Sequence, residues 1–173
     1  MPDEFFDVVN DRDEIIGRES RAEVHRLGLK HRAVHFLLFN SRGELFLQKR
    51  SQTKDTFPGA WDSSASGHLC CGEDYDQCAL RELEEEIGVR PATLPERLFK
   101  IDACADTGQE HVWVYRCISD EPLSLNRDEI EHGDWFTSDQ IIRWLAEKPH
   151  DFASAFPKIW RLYCHHRSDL AGT

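Results

Sequence analysis

The chain reads as an α/β or α+β domain, and three observations carry that reading. Apolar runs of strand length recur between turn signals along most of its 173 residues. Tyr75 to Ile87 has helical periodicity, with acidic residues at its start and Gly88 just past its end. Two capping-box patterns, Ser20-Arg21-Ala22-Glu23 and Thr137-Ser138-Asp139-Gln140, place further helices early and late. Strands mixed with helices at both ends predict one mixed domain spanning 1–173, a length within the usual range for a single domain.

The elements follow in order. Phe5 to Asn10 and Ile15 to Gly17 form two short strands around the turn residues Asp11 to Glu14. The capping box at Ser20 opens a short helix to about Leu27. Ala33 to Phe39 is a buried strand, Asn40-Ser41-Arg42-Gly43 is turn chemistry, and Glu44 to Gln48 returns as its hairpin partner. A polar, basic stretch from Gln48 to Gly59 leads to a strand at Trp61 to Ser66. After the central helix, Arg97 to Cys104 and His111 to Ile118 form a pair of strands, and Ile130 to Phe136 is the last strand. The capping box at Thr137 starts a helix to about Glu147. Phe152 to His166 is the terminal helix, in which Pro157 is tolerable only if it lies in the first turn.

Composition excludes several classes. With 40% hydrophobic and 10% aromatic residues the chain can offset its ordering entropy, so it is not disordered. Its formal net charge of −11 makes it a poor binder of nucleic acid or anionic membrane, and locally clustered carboxylates suit divalent cations. The longest apolar run, Ala33 to Phe39, is interrupted by His35 and falls far short of the roughly 20 residues of a membrane span. Met1-Pro2-Asp3-Glu4 lacks the features of a signal peptide, and six cysteines without paired spacing point to free thiols in a cytoplasmic setting. Homodimers are common among soluble proteins, which makes one the default expectation here.

The chemistry concentrates in residues 67–89. Glu82, Glu85 and Glu86 stand at i, i+3 and i+4 and share one helical face, while Leu80, Leu83 and Ile87 seek the core on the opposing one. Such carboxylates repel unless a hard cation such as Mg²⁺ or Mn²⁺ neutralises them; a bare acidic triplet would otherwise read as a solvated face. Gly67 and Gly72 permit a tight loop, Glu73 and Arg81 can pair to hold it against the helix, and Gly88 ends the helix.

The stretch fits G-x5-E-x7-R-E-U-x-E-E-x-G-U, with U a bulky aliphatic, at Gly67, Glu73, Arg81, Glu82, Leu83, Glu85, Glu86, Gly88 and Val89. In this it resembles the Nudix box of hydrolases that cleave nucleoside diphosphates linked to another moiety. The resemblance implies a Nudix fold, a mixed sheet sandwiched between helices. It implies that Glu82, Glu85 and Glu86 bind divalent metal, joined by the backbone carbonyl of Ser66. It implies a carboxylate base on water: Glu82 first, with Glu110 and Glu129 as candidates outside the box.

Beyond the box, His31-Arg32-Ala33, Gln48-Lys49-Arg50-Ser51, Lys54 and Phe57-Pro58-Gly59-Ala60-Trp61 resemble the isopentenyl diphosphate isomerase-like branch. There the positions matching Arg50 and Lys54 grip a diphosphate, which suits a bidentate guanidinium and a mobile ammonium. His31 and His68 match two of that branch's metal-binding histidines, and His25 approximates a third; a structural imidazole bonded to loop backbone is the plain alternative. The isomerase's catalytic cysteine is replaced by Ser66, and its later E-x-E pattern is broken at Gln109-Glu110-His111. A complete box without that cysteine implies a metal-dependent hydrolase of a small diphosphate compound. The alternatives are the isomerase itself and a non-catalytic nucleotide sensor.

Overall fold

The computed structural model describes residues 4–171. The chain opens with a hairpin of β1 (Phe5–Val9) and β2 (Ile15–Ser20), followed by the two-turn helix α1 (Arg21–Leu27). Ser20 caps α1 by accepting from the Glu23 amide, and Gly28 ends it in the left-handed region. Only half of the expected capping box forms, because the Glu23 carboxylate turns to Arg26 instead.

A seven-stranded sheet carries the rest: β3 (His31–Phe39), β4 (Leu45–Arg50), β5 (Trp61–Asp62), β6 (Ala65–His68), β7 (Glu96–Ile101), β8 (Glu110–Ile118) and β9 (Ile130–Phe136). Its order is β5-β4-β3-β8-β7, with β6 also on β3 and β9 also on β4. The β3–β8 pair is parallel and the others are antiparallel, so the sheet is mixed.

Alternation along β3 sorts the core into two layers. Val34, Phe36 and Leu38 pack with Leu83 and Ile87 of α2 (Tyr75–Ile87). Ala33, Leu37 and Phe39 pack on the other face with Phe156, Ile159 and Trp160 of α4 (Ala155–Ala171), beside α3 (Ser138–Glu147). The sheet is thus sandwiched between helices. No helix among the described residues is long and apolar enough to cross a membrane.

Three expectations needed correction. The strand expected at Trp61 to Ser66 splits in two: β5 pairs with β4 and β6 with β3. At the break, the buried Ser64 hydroxyl accepts from the Leu38 amide and donates to the Phe46 carbonyl, which ties the neighbouring strands together. The strand expected to reach Cys104 stops at Ile101, ahead of a turn with Gly108 and Gln109 at positive φ. The terminal helix begins at Ala155, because Phe152 is extended and the Ala153 amide bonds the Trp61 carbonyl. Pro157 therefore does sit in the first turn, where its missing N–H costs nothing.

Candidate functional site

Helix α2 is built to present carboxylates to the sheet. Asp74 caps it and Gln77 bonds back to the Asp74 amide, a capping box at a start that sequence had marked only by its acidity. Gly88 ends it at φ +70°. The helix buries Cys78, Ala79, Leu83 and Ile87, but Glu82 and Glu86 are buried beside them. Leu80 is 41% exposed, so it belongs to the outer face and not to the core face expected for it.

The three box glutamates have different surroundings. Glu86 accepts from the Ser66 amide at 2.9 Å and from Gln48 Nε2 at 3.2 Å. Burial, and then the neighbouring Glu82, push its carboxyl up to about 8. Glu82 accepts from Arg81 Nη1 at 2.7 Å, yet burial still pushes its carboxyl up to about 7. Glu85 is more than half exposed and reaches the same Arg81 nitrogen at 3.1 Å. Two carboxylates that burial holds toward the protonated form, one of them beside Arg81, fit a bound divalent cation.

Arg81 organises this edge. Its Nε and Nη2 engage both oxygens of Glu73 at 2.9 and 2.8 Å, and Nη2 also donates to the His68 carbonyl at 3.1 Å. Gly67 plays a different part from the loop glycine expected. It lies within β6, outside the left-handed region, and a Cβ there would sit 2.0 Å from Cδ of Glu82. Closeness to the carboxylate demands the glycine. Gly72, at φ +80°, is the one that serves the turn.

These carboxylates line a cleft of about 440 Å³ that also holds Arg50, Lys54 and Glu129. Lys54 contacts the Glu129 carboxylate. Arg50 is turned inward: Nη2 donates to the Thr56 carbonyl at 2.9 Å, and Nη1 approaches the buried Asp62 at 3.4 Å. It braces the 51–59 loop while lining the cleft. Of the aromatics, Trp61 packs edge-on against Phe136 and Trp144, and Trp113 lies under Arg97. Phe57 stands at the cleft, 48% exposed and at φ +48°.

A second cluster lies in the same cleft. Ligand atoms of His25, His31 and His68 all lie within 4.8 Å of one another. The parallel register sets His31 opposite Glu110, whose Oε1 is 2.9 Å from His68 Nε2 and 3.5 Å from His31 Nε2. His31 Nδ1 lies 2.9 Å from the Leu29 carbonyl. A carbonyl only accepts, so Nδ1 carries a hydrogen and Nε2 is the ring nitrogen turned toward Glu110. That Nε2 is buried and has no hydrogen-bond partner among the described residues. Burial would raise the Glu110 carboxyl, but His68 and His31 hold it well below the usual carboxylate range. The sequence resemblance singles out His31, His68 and His25, and Glu110 as a candidate base; spacing alone carries little sign of the cluster, because its members come from α1, β3, β6 and β8 and meet only through the sheet register.

Residues 29–158 match the NUDIX domain. An uncharacterized Nudix hydrolase of Pseudomonas aeruginosa is 42% identical over 146 residues, covering 82% of this chain and 83% of that protein. The uncharacterized Nudix hydrolase YfcD of Escherichia coli is 32% identical over 162 residues, covering 91% and 86%. The crystal structure of DR0079 from Deinococcus radiodurans superposes with a TM-score of 0.76 at 32% identity, covering 84% of this chain and 90% of that one.

Proposed function

The chain belongs to the NUDIX domain family and is an enzyme of the Nudix hydrolase kind, and on that premise we propose that it is a divalent-metal-dependent pyrophosphohydrolase of a nucleoside diphosphate derivative or a similar small diphosphate compound. One observation carries the reading. An unbroken set of box carboxylates, two of them buried and pushed up by that burial despite Arg81 beside Glu82, faces a cleft that also holds Arg50 and Lys54.

Glu82, Glu85 and Glu86 would hold Mg²⁺ or Mn²⁺, with the Ser66 carbonyl beside them. Bound there, the ion polarises phosphate oxygens and favours ionisation of water. The chain's own residues do the rest. Arg81 and Glu73 fix the helix start and the loop before it. The Ser66 amide and Gln48 orient Glu86. Lys54 offers a mobile cation to a phosphate, and Arg50 supports it from the wall of the same loop. Glu82 is the first candidate for the base on water, with Glu129, whose carboxylate contacts Lys54, as a candidate outside the box; Glu110 is engaged by imidazoles. Free thiols at Cys70, Cys71, Cys78, Cys104 and Cys117 support a cytoplasmic setting.

The test is phosphate release from a panel of nucleotides, sugar nucleotides, coenzymes and isopentenyl diphosphate, with Mg²⁺ or Mn²⁺. Glu86→Gln should lower turnover of any hit by at least about 100-fold while leaving the far-ultraviolet spectrum unchanged. Wild-type turnover in that variant would overturn the reading.

The imidazole cluster favours a second reading, the isomerase-like branch. The buried His31 Nε2, without a hydrogen-bond partner among the described residues and 3.5 Å from Glu110, fits a metal ion, as the sequence resemblance implies. Ser66 provides no thiol at the position where that enzyme has its cysteine. Conversion of isopentenyl to dimethylallyl diphosphate by the purified protein would decide for the isomerase.

A further inference from the structure

The 51–59 loop holds one residue in a costly backbone shape. Phe57 has φ +48°. That is an outlier for a bulky side chain, and Pro58 after it would favour extended backbone instead. Strain of this kind persists only where the surroundings impose it, and it gathers at ligand sites. Here the surroundings do impose it. The Thr56 carbonyl, just before Phe57, accepts from Arg50 Nε at 3.2 Å and from Nη2 at 2.9 Å. The Phe57 carbonyl accepts from the Ala60 amide at 3.2 Å, and the Gly59 amide donates to the Arg50 carbonyl at 3.2 Å. Arg50 is itself buried, with Nη1 3.4 Å from the buried Asp62, whose carboxylate accepts from the Ser63 amide at 2.8 Å. A buried ion pair grips the loop before Phe57, and a tight turn grips it after.

The constraint keeps the ring out of the core. Phe57 is about half exposed and belongs to neither layer of the sheet's core. Burial therefore does not account for it, and backbone preference opposes it. Among the described residues lining the cleft, Phe57 is the one large apolar side chain; the others are charged, polar or small. A long aliphatic group needs an enclosing apolar wall, which one ring does not supply. A flat heterocycle needs one ring face to stack on and hydrogen-bonding groups at its edges, and Glu4, Arg21, Thr56 and Asn126 line the same cleft.

We infer that Phe57 is a specificity-determining residue that stacks on a nucleobase, which makes the substrate a nucleoside diphosphate derivative and not an aliphatic diphosphate. The inference rests on the reading of this cleft as a diphosphate site: Lys54 serves the phosphates, and Phe57, on the same loop, serves the base.

Isothermal titration calorimetry of the full chain with Mg²⁺ tests it without turnover. The probes are the α,β-methylene analogues of adenosine, guanosine, cytidine and uridine diphosphates, whose bridging carbon resists hydrolysis. Methylenediphosphonate is the same head without a nucleoside. At least one nucleotide analogue should bind the wild type more tightly than methylenediphosphonate. Phe57→Ala should weaken that analogue on the order of ten-fold, the size of one base–aromatic stack. It should leave methylenediphosphonate binding unchanged, which also shows that the variant is folded. Phe57→Trp should keep the affinity, and Phe57→Leu should lose it, because leucine is apolar without a flat face. An equal effect of Phe57→Ala on both kinds of probe, none included, would overturn the inference. So would full affinity in Phe57→Leu, or a wild type that binds no nucleotide analogue more tightly than methylenediphosphonate. Base-dependent binding lost in Phe57→Ala, from a protein that releases no phosphate, would uphold the inference and overturn the hydrolase, so the two fail separately.

Discussion

A methyl group on residue 67 would land 2.0 Å from Cδ and 2.5 Å from Cγ of Glu82. The glutamate cannot simply swing away, since its carboxylate is held by Arg81 at 2.7 Å and its side chain is almost fully buried. Gly67→Ala should therefore act on the chemistry more than on the fold. A misplacement on the order of 1 Å costs about 100-fold in rate, so kcat/KM should fall by roughly that factor. The overpacking should cost about 1–3 kcal/mol of stability. Steady-state kinetics beside a urea titration separate the two, and unchanged kcat/KM would show that Glu82 does not need its present position. The chemical identity of this residue was legible in the sequence, because the box pattern demands glycine there. Its reason was not: a pattern cannot distinguish a glycine that turns the chain from one that makes room. The same blindness misplaced Leu80, whose spacing from Leu83 and Ile87 suggests the core, while the structure gives the inner positions to Glu82 and Glu86.

At the scale of elements, local signals were read well and anchors were not. Asp11 to Glu14 is plainly a turn, yet nothing in those four residues reveals that Asp13 ties the hairpin to the body. Its carboxylate accepts from Arg32 Nε and Lys100 Nζ, each at 2.6 Å, and from the Tyr75 hydroxyl at 2.8 Å. Burial would raise the Asp13 carboxyl, but these bonds from Lys100, Arg32 and Tyr75 outweigh it and hold it below its usual value. A carboxyl held low contributes stability above its unfolded value and loses it as pH falls through the folded one. Asp13→Asn keeps the shape and tolerates φ +63°, but removes the charge that pairs two cations. It should cost about 1.5–3 kcal/mol, the range for hydrogen bonds to charged groups, and most of that should vanish under acid conditions where the wild-type carboxyl is protonated. A urea titration at neutral and at acid pH checks this. The same loss at both would assign the effect to packing instead of charge. The capping boxes show the converse. Thr137 and Gln140 form theirs as the pattern suggests, whereas Ser20 and Glu23 form half, because Arg26 competes for the glutamate.

At the scale of the whole molecule, what sequence could not supply was the register. His31 meets Glu110, and Ala33 meets His68, across pairings that span tens of residues and leave no local trace. The box glutamates were visible because they lie within one helix; the imidazole cluster needed the sheet to assemble it. The sheet also buries Glu82 and Glu86, and that has a global consequence. Their carboxyls are pushed up to about 7 and about 8, above the 4.5 of an unperturbed glutamate. A raised folded value means that folding favours the protonated form. The stability this contributes is complete below about pH 4.5 and is lost as pH rises through the folded values. The two groups interact, so they titrate as a coupled pair. Without divalent metal, Tm should therefore fall from pH 7.5 to 8.5, where an ordinary histidine is already largely neutral in the unfolded chain and His25 and His68, held below that value by burial, are neutral in the folded one. Metal bound by the ionised carboxylates reverses the trend. At a hundred-fold excess over Kd it contributes about 2.7 kcal/mol, or roughly 5–10 °C in Tm for a chain of this size. At pH 7.5 the cation must displace protons first, so its gain there should be smaller than at pH 8.5. Glu86→Gln should flatten the metal-free decline and shrink the gain from Mg²⁺ together, because one buried charge is responsible for both. Calorimetry of wild type and Glu86→Gln at the two pH values, with and without Mg²⁺, measures all of these. A gain from Mg²⁺ that is equal at both pH values would mean that the ion binds somewhere other than these buried carboxylates.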